Sequence, residues 1–171
     1  MNFAVLFACL IVGLFAAECP KFTTQNPFDA AQYGGFWYEF ERSNIIFEIG
    51  SKCENATYNL NPNGTVGLLN QAINIWNQYV SYTGIATVKD PKEPAAFIVE
   101  FTTGDYNVIT TNYKDYSLVY ACEEVFGIKA DFIWILSRKK TLPDSIVNEL
   151  KTILKNFGID ISSLRPTVQD C

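Results

Sequence analysis

The 171-residue sequence contains no histidine, and its single methionine is the initiator Met1. Without histidine the chain cannot build a Ser-His-Asp triad, a Cys-His pair or a histidine-ligated metal site. Without an internal methionine it cannot protect against oxidants through a sacrificial thioether. These absences predict a protein that is not an enzyme, with no catalytic residues and no metal site.

Charge is also sparse, since charged residues make up 18% of the chain and the formal net charge is −5. An acidic chain without a basic run gives no electrostatic reason to bind nucleic acid or an anionic membrane. Glu39 and Glu41 could form a carboxylate pair. Because Arg42 follows them, we instead expect Glu41 and Arg42 on a solvated rim or strand face.

Apart from its first residues, the sequence has no long apolar run. The uncharged stretch Phe3–Phe15 is about half the length needed to cross a bilayer. We interpret residues 1–17 as a signal peptide cleaved near Ala16 or Ala17, with a buried N-terminal strand as the alternative. Residues 18–171 then form a single domain, which we expect to be secreted, extracellular and without a transmembrane anchor.

Cysteine usage supports export. One of the five cysteines, Cys9, lies in the predicted signal peptide, which leaves an even number in the exported chain. Two disulfides with three possible pairings are expected, and no CxxC spacing indicates a metal or redox site. The remaining cysteines are Cys19, Cys53, Cys122 and Cys171. Asn55 and Asn63 begin N-x-T triplets and are predicted glycosylation sites.

From Phe36 onward, short β-type runs alternate with turn residues such as Asn61–Gly64. Asp90–Pro94 contains two prolines and predicts a longer loop. Eight strands at near-regular spacing favour an all-β up-and-down barrel or a sandwich. The runs are 37–43, 52–60, 65–75, 79–88, 95–102, 106–111, 116–122 and 130–138.

One helix is predicted near the C-terminus. Apolar residues from Ile146 to Phe157 recur at helical spacing and form one face, which we expect to pack on the outside of the sheet. Thr141 and Asp144 resemble a capping box at its start, and Gly158 can end it. Aromatic residues reach 15% of the chain, which suits either a dense core or an apolar cavity.

Three segments carry a resemblance to a known family. Gly35-Phe36-Trp37-Tyr38-Glu39 matches a G-x-W-Y-E signature, Thr111–Tyr116 looks like a T-D-Y signature, and Phe132–Arg138 looks like a third that ends in arginine. In this order the three resemble the lipocalins, and within them the subgroup of apolipoprotein D and the insect bilin-binding proteins. Asn112 stands where the second signature usually has aspartate, which leaves the hydrogen bonding of that turn open.

The resemblance implies an eight-stranded antiparallel β-barrel, a lipocalin calyx, with the helix packed outside. It implies the disulfide pairs Cys19–Cys122 and Cys53–Cys171. It also implies that Trp37 and Arg138 meet at the closed end, beside Gly35 at the start of the first strand. The arginine would stack on the indole and bond to main-chain carbonyls, so we assign these residues to closing the barrel.

Strand alternation then predicts the inner wall. If Cys122 faces outward to meet Cys19, the alternate residues of its strand face inward, and small inward residues favour a hollow barrel over a filled one. A glycan on Asn55 would likewise leave Ala56, Tyr58 and Leu60 inside. No charged inward residue is evident in the middle of the pocket. The predicted ligand-binding residues are Ala56, Tyr58, Tyr106, Val108, Ser117, Val119, Phe132 and Trp134.

The predicted function is a carrier of one small hydrophobic molecule, such as a fatty acid, retinoid or sterol, with a transport, sequestration or protective role. No cofactor is required, although a bound lipid or biliverdin is compatible with such a pocket. Pigment binding is the first alternative. The second is a protein-interaction role through exposed Trp76 and Tyr79, with a cell-surface receptor or a homo-oligomer as the partner.

Overall fold

A computed structural model of the chain describes residues 18–45, 48–100, 105–125 and 128–171. The predicted signal peptide, residues 1–17, lies outside these ranges. The elements in chain order are α1 (Ala30–Tyr33), β1 (Gly35–Arg42), β2 (Lys52–Leu60), β3 (Val66–Ile73), β4 (Tyr79–Asp90), β5 (Glu93–Val99), β6 (Asp105–Thr111), β7 (Tyr116–Val125), β8 (Ile128–Ser137), α2 (Asp144–Asn156) and β9 (Arg165–Pro166).

The first eight strands form a closed antiparallel barrel. Each of β2 to β7 pairs with the next strand along the chain, and β1 closes the ring by pairing with both β8 and β2. The predicted eight-stranded barrel with a C-terminal helix is therefore confirmed. The two-residue β9 was not predicted; it pairs with the far end of β1.

Two apolar clusters lie on the two sides of the barrel wall. The inner cluster contains Trp37, Val119 and Leu136. The outer cluster contains Leu118 and Tyr120 together with the helix residues Leu150 and Leu154. Adjacent β7 residues thus face opposite sides, which confirms the predicted alternation and shows that α2 covers the outside of β7 and β8.

The ends of α2 agree only in part with the capping prediction. Pro143 occupies the N-cap and no side chain caps the helix, so the predicted capping box of Thr141 is wrong. Gly158 has a φ of 72°, and the amide of Ile159 donates to the carbonyl of Leu154 at 3.0 Å. Gly158 therefore ends the helix as predicted, because this left-handed conformation favours glycine.

Two of three further local predictions, for the β4–β5 connection and for Leu60, differ from the structure, and the third, for the β3–β4 hairpin, agrees with it. β5 begins at Glu93 and includes Pro94, so the loop expected over residues 90–94 is a tight connection in which Asp90 pairs with Glu93. Leu60 was placed inside the barrel, but it ends β2 and is exposed. Trp76 and Tyr79 are exposed at the β3–β4 hairpin, as predicted.

Both predicted disulfides are present. Cys19 is bonded to Cys122 and ties the N-terminal segment to β7, and Cys53 is bonded to Cys171 and ties the C-terminal segment to β2. A carboxylate of Asp170 lies near the second pair, but bonded cysteines offer no thiolates to a metal. Within the described ranges, no helix is long and apolar enough to cross a membrane.

Candidate ligand-binding calyx

The closed end of the barrel is built around Arg138. Its guanidinium carbon lies 3.6 Å from the centroid of the Trp37 ring. Its nitrogens donate to five main-chain carbonyls at 2.7–3.1 Å, those of Gln32, Tyr33, Gly34, Phe36 and Tyr113. The Trp37 indole donates to the Tyr33 carbonyl at 2.8 Å. The predicted barrel-closing contacts are therefore present, because a planar cation can stack and donate at once.

Gly35, beside this contact, is favoured by its backbone conformation. Its φ is 87°, a left-handed value that favours glycine, and a Cβ at this position would lie 3.5 Å from Arg138 Nη1. At the neighbouring turn, Asn112 Oδ1 accepts from the amides of Lys114, Asp115 and Tyr116 at 2.8–3.2 Å. Asparagine therefore supplies the side-chain oxygen that this turn needs, and the departure from the signature leaves the turn intact.

We call the barrel interior above Trp37 the calyx. Accessible surface along its wall increases from the floor to the open end. On β8, Leu136 is buried, whereas Trp134 and Phe132, each two residues further from the floor, are half-buried. Their rings stack with centroids 6.2 Å apart. The upper calyx therefore presents flat aromatic surface that is open to a molecule entering from the mouth.

The predicted ligand-binding residues divide into two layers of this wall. Val108, Ser117 and Val119 have no accessible surface, and Ala56 and Tyr58 are nearly buried, so they form a packed lower layer. Tyr106 is half-buried, like Phe132 and Trp134, and belongs to the upper layer. The structure thus brings the set together inside one barrel, and ligand contact by each residue remains a prediction.

A chain of hydroxyl groups connects the two layers. Tyr106 Oη lies 2.9 Å from Tyr58 Oη and 2.8 Å from Tyr33 Oη, which in turn lies 3.0 Å from Ser117 Oγ. Burial raises the pKa of Tyr33 to about 12, and burial also raises the pKa values of Tyr58 and Tyr106. The hydroxyls therefore stay protonated at neutral pH. Tyr33 comes from α1 and was not predicted.

The calyx also contains inward-facing charged side chains that were not predicted. Glu39, Arg42 and Glu54 face inward near the open end, and Glu48 reaches them from the β1–β2 connection. We call these four residues the mouth cluster. Arg42 pairs with Glu39, its Nε lies 3.5 Å from Glu48 Oε2, and its Nη2 donates to the Glu48 carbonyl at 2.7 Å. Trp134 interacts with the Glu48 carboxyl group and favours its ionised form, against the larger effect of burial on its pKa.

A β-bulge explains the misplaced charges. The pairing of β1 with β8 shifts register between Glu39 and Glu41, which reverses the alternation beyond Phe40. Arg42 therefore turns inward, whereas Glu41 stays outside and pairs with Lys151 of α2 at 2.7 Å. The expectation of a solvated rim for Glu41 and Arg42 is wrong. Glu39 and Glu54 share the parity of Trp37 and Ala56, so alternation alone could have placed them.

The C-terminal segment completes the mouth cluster. Thr167 Oγ1 lies 2.6 Å from Glu39 Oε1, and Gln169 Nε2 donates to the carbonyls of Glu39 and Glu54 at 2.9 and 2.7 Å. Ser51 also bonds the Glu54 carboxylate. The Cys53–Cys171 disulfide thus holds the segment that fills the gap between β1 and β2.

The mouth cluster should make stability depend on pH. Burial, together with the neighbouring carboxylates, raises the pKa of Glu48 to about 8, and burial with nearby Glu39 raises the pKa of Glu54 to about 7, from an ordinary value of 4.5. Between about pH 4.5 and 8 the folded protein therefore holds protons that the unfolded chain has released. We expect the free energy of unfolding to fall as pH rises through this window.

Urea unfolding at pH 5, 6.5 and 8, with disulfides intact, measures this dependence. Glu48→Gln should flatten it, because the amide does not titrate. Glu149→Gln, at an exposed position of α2, is the matched control and should leave the slope unchanged. A free energy of unfolding that rises from pH 5 to pH 8 in the natural protein would contradict the assignment.

The two predicted glycosylation sites differ in setting. Asn63 is exposed in the β2–β3 turn, where its Oδ1 accepts from the amide and hydroxyl of Thr65 at 3.1 and 2.8 Å. Asn55 is half-buried, and its Nδ2 donates to the Cys53 carbonyl at 3.1 Å. A glycan attaches at the Nδ2 atom of asparagine. On Asn63 neither of these bonds involves Nδ2, whereas on Asn55 Nδ2 donates the bond to Cys53. Modification of both sites remains a prediction.

The fold and the site define an eight-stranded barrel of the ligand-enclosing type, closed at one end by a stacked Trp-Arg pair. A family profile described as a lipocalin-like domain matches residues 28–169. The chain is 34% identical to apolipoprotein D of Mus musculus over 96% of this chain and 94% of that one. The chain belongs to the lipocalin family, whose members bind small hydrophobic molecules.

Solved structures agree with this assignment. Apocrustacyanin C1 superposes with a TM-score of 0.75 at 25% identity, covering 86% of this chain and 82% of that one. Insecticyanin from the tobacco hornworm Manduca sexta superposes with a TM-score of 0.74 at 23% identity, covering 88% and 85%. The second likeness shows the fold alone.

Proposed function

We propose that this protein is a secreted carrier that encloses one small hydrophobic molecule, such as a fatty acid, retinoid or sterol, in the calyx. The observation that carries the proposal is the gradient along the inner wall, from the buried Leu136 to the half-buried Trp134 and Phe132. A barrel filled by its own side chains would bury these rings. An aromatic wall with a few hydroxyl groups suits a mostly apolar ligand.

Export is part of the proposal. The apolar run Phe3–Phe15 is typical of a signal peptide, and two disulfides fit an oxidising compartment. A carrier role with no catalytic chemistry fits the absence of histidine and the bonding of Cys19, Cys53, Cys122 and Cys171 in pairs. No cofactor is needed for such a role, and biliverdin is the alternative ligand to a lipid.

A protein-interaction role is the second candidate, and one observation favours it. Trp76 and Tyr79 at the β3–β4 hairpin are 73% and 87% exposed, with Ile75 beside them 56% exposed. Large exposed apolar side chains at one tip are typical of a contact surface. A receptor or a second copy of the chain would be the partner. Such a contact is compatible with a ligand bound in the calyx.

Titration of tryptophan fluorescence tests the carrier proposal. Protein collected from the medium of expressing insect cells is titrated with retinol, arachidonic acid and biliverdin, and its intact mass reports cleavage near Ala16 or Ala17. We expect saturable quenching by at least one ligand at about one molecule per chain. Trp134 should be the reporter, because its indole is half-buried in the upper calyx.

Matched variants identify the site. Trp76→Phe removes the exposed indole and should keep the saturable signal, whereas Trp134→Phe should remove most of it. If none of the three ligands quenches saturably, the carrier proposal fails and the protein-interaction role is favoured. If Trp76→Phe removes the signal and Trp134→Phe does not, the ligand binds at the hairpin and the calyx assignment is wrong.

A further inference from the structure

Charged side chains that face the calyx are almost all acidic. Among the described residues they are Glu39, Glu48 and Glu54 of the mouth cluster, Glu123 at the rim by strand parity, and a single cation, Arg42. From this distribution we propose that the calyx selects neutral apolar molecules with a hydroxyl or carbonyl end and excludes those with a carboxylate. The inference rests on the proposed carrier function and specifies its ligand class.

The first argument is that no cation of the described inner wall is available to a ligand carboxylate. Arg42 is engaged by Glu39 and Glu48, and its Nη2 also donates to the carbonyls of Glu48 and Ser51 at 2.7 and 3.2 Å. Arg138 lies at the closed end, with its donors directed at main-chain carbonyls. The segments 46–47, 101–104 and 126–127 contain no lysine or arginine in the sequence.

The second argument is that a ligand carboxylate near the mouth would face like charges. Glu39, Glu48 and Glu54 surround one guanidinium, and burial already raises the pKa of each carboxyl group. The neutral groups that face them are Ser51, Trp134 and the C-terminal Thr167 and Gln169. An additional anion without its own partner is disfavoured at such a site, increasingly so as the glutamates ionise.

The third argument concerns what the calyx offers to a neutral polar group. The hydroxyl chain of Tyr58, Tyr106, Tyr33 and Ser117 has four hydroxyl hydrogens and three bonds among its members. One hydrogen is therefore not used within the chain, and it can donate to a hydroxyl or carbonyl oxygen. Tyr106 is the half-buried member and the one nearest the upper calyx.

Retinol and retinoic acid test the inference, because they share one polyene and differ at the terminal group. Tryptophan quenching is measured with both at pH 6 and pH 8.5. We expect retinol to bind at least about tenfold more tightly than retinoate at pH 8.5. The ratio should shrink at pH 6, where Glu48 and Glu54 are protonated.

Variants connect the ratio to the mouth cluster. Glu48→Gln and Glu54→Gln should each reduce the retinol preference at pH 8.5, whereas the exposed Glu149→Gln should leave it unchanged. Equal or tighter binding of retinoate at pH 8.5 would overturn the inference and leave the carrier function standing. Absence of saturable quenching by both retinoids, with quenching by biliverdin or arachidonic acid, would also overturn it. If retinol, retinoic acid, biliverdin and arachidonic acid all fail to quench saturably, the carrier function itself is contradicted.

Discussion

Arg138→Lys is expected to destabilise the protein by about 3 kcal/mol, lowering the melting temperature by roughly 6–12 °C. Lysine keeps the charge but has three donors on one nitrogen. That single nitrogen cannot reach five carbonyls spread over Gln32 to Phe36 and Tyr113. Lysine also has no planar group to stack on Trp37, as the arginine guanidinium does. Several main-chain oxygens at the closed end would lose a charge-assisted hydrogen bond.

Differential scanning calorimetry of the disulfide-intact protein measures the effect. Arg165→Lys is the matched control, since Arg165 is exposed and Nη1 donates only to the nearby carbonyls of Ser162 and Leu164. The control should shift stability by no more than about 0.5 kcal/mol. A melting temperature of Arg138→Lys within one degree of the natural protein would contradict the barrel-closing role.

Removal of the Cys19–Cys122 disulfide, by replacing both cysteines with alanine, should cost about 4 kcal/mol. The bond closes a loop with a sequence separation of 103 residues, and a loop of this length strongly restricts the unfolded chain. The bond also anchors the segment in which Phe22 packs edge-on against Tyr120 with centroids 5.0 Å apart. This segment leads into Phe28 and Tyr33 at the floor of the calyx.

Urea unfolding of the double variant measures the loss. The Cys53–Cys171 pair has a similar separation of 118 residues, so its double alanine variant should lose a similar amount if the effect is on the unfolded chain. A loss below about 1 kcal/mol for Cys19→Ala/Cys122→Ala would show that the bond adds little to the packed N-terminal segment.

Much of the fold could be predicted from the sequence because each signal was local. Strand alternation placed Ser117 and Val119 inside and Leu118 outside, and turn residues marked most strand ends. The three signature segments identified the closed end, and Trp37 and Arg138 meet there. The disulfide pairing came from the resemblance, since the spacing of four cysteines allows three pairings.

The mouth cluster could not be predicted in full, because it depends on a bulge and on distant segments. The register shift after Glu39 reverses the expected side of Arg42, and no local pattern marks it. Glu48 comes from an irregular connection and Thr167 from the C-terminal segment. Tyr33 was missed for a similar reason, since α1 has four residues and shows no periodicity.

The central claim is that the upper calyx, above the packed floor, holds the ligand. A crystal structure of the protein grown with retinol tests it most directly. We predict one retinol molecule inside the barrel above Trp37, with its polyene against Trp134 and Phe132 and its hydroxyl group directed toward Tyr106. Retinol bound only at Trp76 and Tyr79, or a barrel interior filled by side chains with no retinol, would contradict the account.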